Sequence, residues 1–236
     1  MSMNRRPMPV AGALLLCLAL SPGTATAQQP LAPELTGLGT LEMPVTTAVP
    51  QAQRFFNQGV RLLYAFNHHE AQRAFDEAAR LDSKLAMAYW GRAMTLAPNI
   101  NAPLTDENAR LAYEAVQAAR SRASIASARE RALIDALATR FAANPAAAPR
   151  ADLDRAYARA MARVASAYPT DADIQVFYAD AVMNTMAWDY WQKDGSLKPE
   201  ALAVRDALQR VIARYPDHPG AHHYDIHVLE GSNTPE

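Results

Sequence analysis

Residues 51–98 constrain the rest of this chain most tightly. They read QAQRFFNQGVRLLYAFNHHEAQRAFDEAARLDSKLAMAYWGRAMTLAP, two amphipathic helices and the start of a third. Gly59 and Ala71 are small where two antiparallel helices must approach, Phe75 is the ring that fills their seam, and Ala78 is small again. Ser83 closes the unit, and Gly91 takes the small position of a second unit that starts at Lys84. One helix pair cannot bury its own apolar face, so the pattern requires further pairs stacked on the first.

The same register recurs downstream. Counting back 12, 8 and 5 residues from Ser83 gives Ala71, Phe75 and Ala78; from Pro169 it gives Tyr157, Met161 and Val164; from Pro216 it gives Val204, Leu208 and Val211. Three helices thus carry one apolar stripe in one register, as the second helices of successive pairs do. Gly59, Ala71, Phe75, Ala78 and Ser83 fall at positions 8, 20, 24, 27 and 32 of a tetratricopeptide (TPR) repeat starting at Ala52. Helices are predicted over about 52–66, 69–82, 84–97, 106–121, 127–143, 151–167, 172–187 and 199–214, with a ninth from Pro219. Thr105 caps the fourth, Ser127 and Glu130 form a capping box on the fifth, and Asp171 or Thr170 caps the seventh. The expected fold is all-α: a TPR-like right-handed solenoid of antiparallel helix pairs with lengthened intra-pair turns.

The flanks read differently. Arg5 and Arg6, the apolar run 11–20 and Ala25-Thr26-Ala27 have the order of a signal peptide over 1–27, cleaved before Gln28. Cleavage removes Cys17, the only cysteine, so the mature chain has no thiol for a disulfide or a metal, and export is expected, to the periplasm in a Gram-negative host. The apolar run is too short to span a bilayer. Residues 28–50, with four prolines and two glycines, form an extended leader, and 51–236 the repeat domain. Charge is balanced, 23 Lys+Arg against 24 Asp+Glu, which leaves no basic surface for nucleic acid. The ninth helix has no partner helix after it, so Ile226, Val228 and Leu229 are expected to lack burial, as in the N-terminal part of a longer repeat protein.

Function is sought where the chain departs from the repeat. Residues 67–69, 99–103, 144–150 and 188–195 all enlarge turns between the two helices of a pair, which in a repeat array line up along one edge. Asn99, Asn101, Trp188, Asp189 and Trp191 on that edge, and Phe56, Val60, Tyr64 and Arg92 on the inner wall, are the candidate partner-binding residues. The two tryptophans either fold back on the scaffold or meet a partner. His218, His222, His223 and His227, with Glu230, make a second candidate: His223 and His227 stand at i and i+4, the spacing of a metal-binding pair, and Zn or Cu would suit. Tyr224 stands where a zincin helix needs its Glu, so hydrolysis is not supported, and the alternative use of these histidines is helix capping. No nucleophile elbow, phosphate loop or CxxC is present, and the carboxylates along 106–135 read as a solvated face.

Residues 43–47, 52–68, Tyr89-Trp90-Gly91 with 98–103, 188–191 and 218–230 together resemble a family of exported bacterial TPR-repeat proteins. Many members of that family carry a C-x-x-C where this chain has Leu85 and Ala88, so a redox role is not implied. The resemblance implies a longer protein and no established enzymatic activity. The expected function is a non-catalytic scaffold for a protein or peptide partner without a cofactor; the alternative is a metal-binding protein.

Overall fold

In a computed structural model of the protein, the described residues are 29–232 together with Met1. Arg5, Arg6, the 11–20 run, Cys17 and the 25–27 site lie outside the described residues, as do the last four. Among the described residues nine α-helices follow in order: α1 (Pro50–Tyr64), α2 (His68–Leu81), α3 (Ala86–Leu96), α4 (Asp106–Arg122), α5 (Ala128–Ala138), α6 (Arg150–Ala167), α7 (Ala172–Met183), α8 (Pro199–Arg214) and α9 (Pro219–Leu229). Each packs on its successor, so the architecture is all-α and built of consecutive helix pairs.

Local chemistry sets the helix ends. The Thr105 hydroxyl accepts the Asn108 N–H, Ser127 and Glu130 make a reciprocal capping box, and Asp171 accepts the Ile174 N–H. Two helices stop short of their predicted ends. The Thr139 hydroxyl donates to the Ala136 carbonyl where α5 ends, and the Asn184 amide donates to the Asp180 carbonyl where α7 ends. Phe66, at φ 55°, turns the chain sharply between α1 and α2.

Packing follows the register read from the sequence. Ala71, Phe75, Ala78, Tyr157, Met161, Val164, Val204, Leu208 and Val211 are all buried. Phe75 lies between two glycines: a Cβ on Gly59 would stand 2.6 Å from its ring, and one on Gly91 would stand 2.5 Å from it. No side chain fits there, so both helices approach the ring to backbone distance. Phe56 adds a tilted ring contact at 5.4 Å.

The inner helices also close on one another. Phe177 of α7 meets Tyr64 of α1 at 5.3 Å and Trp90 of α3 at 5.0 Å, and Gly220 of α9 lets the Tyr64 ring lie against its backbone. The expected open inner wall is therefore corrected: Phe56, Val60 and Tyr64 are core side chains with no surface for a partner. Arg92 is partly exposed and faces Asp76 at 3.7 Å. Nor is α9 left unpacked, since it touches α1, α7 and α8. Val228 is buried and Leu229 half-buried, and of the three expected apolar residues only Ile226 is exposed.

The leader is docked as an extended segment. Gln53, Asn57, Gln58 and Arg61 of α1 bond to backbone groups of Val45, Met43, Leu35, Pro33 and Leu41. Glu130 accepts the Thr46 N–H at 2.6 Å and its hydroxyl at 2.5 Å. Burial would raise the Glu130 carboxyl, but these bonds and the Ser127 N–H hold it below its usual value. Glu130 is thus buried and bonded, a correction to the solvated face expected for this stretch. Replacing Phe75 with Ala empties the seam between Gly59 and Gly91, and a loss of about 3–5 kcal/mol is expected in urea unfolding. A change near zero contradicts this packing.

Candidate functional site

Consecutive helices place their turns alternately at two edges, and each edge carries a distinct group of residues. At the edge of the between-pair turns lies a cleft of about 870 Å³. The leader at Thr40, Glu42 and Pro44 forms one wall, with Tyr168-Pro169 and Tyr215-Pro216 from two successive turns and Arg129 at the start of α5. Met43 points away from it, buried against α1, while Glu42 and Pro44 on either side are exposed.

The floor of this cleft is a buried polar chain. Tyr64 Oη donates to Asp173 Oδ1 at 2.9 Å, and His218 Nε2 stands 3.5 Å from the same oxygen. His218 Nδ1 accepts the Ala221 N–H and so caps α9, which fixes the neutral ring with its proton on Nε2. Burial and then Asp173 push the Tyr64 hydroxyl well above its usual range. Arg129 forms a fork on Asp171, at 2.5 and 3.0 Å. Burial opposes its charge, but Asp171 and Asp173 keep its pKa above the ordinary value. Asp171 and Asp173 thus meet the cleft already engaged, the first by Arg129 and the second by Tyr64, with Arg129 3.7 Å away.

The intra-pair turns gather the other residues singled out from the sequence. Trp188 Nε1 donates to the Ile100 carbonyl at 2.7 Å, and Trp191 Nε1 donates to the Val228 carbonyl at 2.9 Å. Asp189 pairs with Lys198 at 2.5 Å. Asn99 bonds His68 at 3.2 Å and accepts the Asn101 N–H at 2.8 Å. Both tryptophans therefore fold back on the scaffold, although Trp188 keeps half its surface exposed.

The proposed five-residue metal cluster is separated by the structure. His218 is in the floor of the cleft, and His222 Nε2 turns to the Pro216 carbonyl at 2.5 Å. Among the described residues no group of three or more His, Cys, Asp or Glu is gathered for a metal ion. His223 and His227 do meet, with their Nε2 atoms 3.0 Å apart, and Glu230 bonds His227 Nδ1 at 2.7 Å. Beside His223, Phe66 stands at 4.6 Å, and burial lowers the His223 pKa.

Several residues of these sites were missed in the sequence. Tyr168 and Tyr215 precede the two prolines that mark the repeat register, a signal that was present but reads as turn chemistry. Arg129 and Asp173 resemble ordinary helix charges. Comparison with protein-family models, curated proteins and solved structures found no match. No helix among the described residues is long and apolar enough to cross a membrane.

Asp180 of α7 is buried behind the aromatic edge, beside Asn184, which donates to its Oδ1 at 3.0 Å. Burial raises its carboxyl to about 6, with Asp154 adding to this and Arg140 and Asn184 opposing it. A raised carboxyl stabilises fully below its unfolded value of about 3.9, and that contribution is lost as pH climbs toward 6. Asp180→Asn keeps the acceptor for Asn184 without the charge. Its stability advantage over the native chain is expected to grow between pH 4 and 6 and then level off, read from urea midpoints. A difference independent of pH contradicts the assignment.

Proposed function

We propose that the protein is an exported, non-catalytic TPR-type scaffold that holds an extended segment of a protein partner in the cleft between the leader and the α6–α7 and α8–α9 turns. The observation that carries this reading is the cleft itself: about 870 Å³, floored by Arg129, Asp173 and His218 and rimmed by two Tyr-Pro pairs. Tyrosine faces beside proline offer rigid amphipathic surface, and the paired charges below offer donors and acceptors for a peptide backbone. The docked leader adds support, because α1 already holds an extended chain by amide and guanidinium bonds to its backbone. Export rests on the Arg5-Arg6, apolar and Ala-Thr-Ala order of the first 27 residues. The TPR assignment rests on Gly59, Ala71, Phe75, Ala78 and Gly91.

A photo-crosslinking side chain at Tyr215, on the rim, tests the reading in the native envelope. A discrete adduct is expected there and not from the same group at Leu202, an exposed residue of α8 outside the cleft. Equal adducts from both positions, or none from either, count against the cleft as the docking surface.

A further inference from the structure

The strongest unused chemistry lies at the opposite edge, in the ring pair of His223 and His227. His223 Nδ1 stands 2.5 Å from the Tyr64 carbonyl, and His227 Nδ1 stands 2.7 Å from Glu230 Oε1. A carbonyl and a carboxylate only accept, so both Nδ1 atoms carry protons. In the neutral rings both Nε2 atoms are then bare lone pairs, and they face each other at 3.0 Å. Two lone pairs at that distance repel unless a cation lies between them, either a proton or a metal ion.

The ring positions bear on the choice. A straight N–H···N bond of this length puts the ring centroids about 5.3 Å apart, because each centroid lies about 1.15 Å behind its nitrogen. The observed separation is 4.7 Å, with the rings inclined at 49°, so the nitrogen–nitrogen axis departs from at least one lone-pair direction. An ion about 2.05 Å from both nitrogens, in line with each ring, gives centroids about 4.7 Å apart and an N–metal–N angle of about 94°. That angle is far from the tetrahedral value zinc adopts, and it fits adjacent positions of a tetragonal copper(II) site.

The surroundings support a built site. Each ligand has its outer nitrogen fixed by an acceptor, the arrangement that orients metal-bound histidines. Phe66 stacks on His227 at 5.6 Å, and Trp188 meets its face edge-on at 5.4 Å. These two are the only non-glycine residues with left-handed backbone among those described, at φ 55° and 64°. Backbone in that region is costly and persists where the surroundings hold it, here at two turns that wall one histidine.

We infer that His223 and His227 form a copper(II) site, with both Nε2 atoms as adjacent ligands, Tyr64 and Glu230 as outer acceptors and solvent completing the coordination. This goes beyond the scaffold reading and does not depend on it.

Titration of the full chain carrying Cys17→Ser, so that the thiol neither binds nor reduces the ion, with Cu²⁺ at neutral pH tests the site. One equivalent is expected to bind, with an axial electron paramagnetic resonance spectrum showing two imidazole nitrogens, together with quenching of tryptophan fluorescence. Glu230→Ala leaves both ligands and an exposed surface, and should weaken binding about ten- to hundredfold. The His223→Ala/His227→Ala double variant should lose the signal, and His222→Ala should keep it. The site is overturned if the native histidines bind no stoichiometric copper. It is equally overturned if the double variant binds as well as its parent, or if Glu230→Ala leaves the affinity unchanged.

Discussion

The structure depends on one close contact, the ring of Phe75 held between the backbones of Gly59 and Gly91. Both glycines are required for a steric reason, since any Cβ at either position would overlap the ring. The contact fixes how near α1 and α3 come to α2, and with it the spacing at which the next pair is laid down. Once that spacing is set, the stripes on α6 and α8 bury in the same register, and Phe177 reaches both Tyr64 and Trp90. The tight inner packing that results leaves no open groove along α1.

This packing moves the available surface to the two edges. On one, the leader is bound by α1 and tied to α5 through Thr46 and Glu130, so it serves as a wall of the cleft. On the other, the enlarged intra-pair turns fold over the end of α9 and enclose the His223–His227 pair. The long turns therefore have structural work as lids on the scaffold's edge, and the open surface lies at the turns that looked unremarkable.

What could be read from the sequence was what neighbours in the chain decide. The stripe of Ala71, Phe75 and Ala78, the capping box at Ser127 and Glu130, and the i,i+4 spacing of His223 and His227 all follow from helical geometry over a few residues. What could not be read was carried by polar side chains acting over long separations. Glu130 bonds a threonine 84 residues away, and Arg140 is buried on Asp154 and the Pro98 carbonyl. In sequence each is indistinguishable from a solvated helix charge. The same holds for the histidines: α9 and its N-cap carry four of them, and only the fold assigns His218 to a cap, His222 to a turn carbonyl and the other two to each other.

A double-mutant cycle between Gly91→Ala and Phe75→Leu tests the central contact most directly. If the added methyl is costly because it strikes the Phe75 ring, the smaller leucine relieves it. The double variant should then be more stable than the sum of the single losses by about 1 kcal/mol or more in urea unfolding. Additivity within about 0.3–0.5 kcal/mol would contradict the wedge as the determinant of helix spacing.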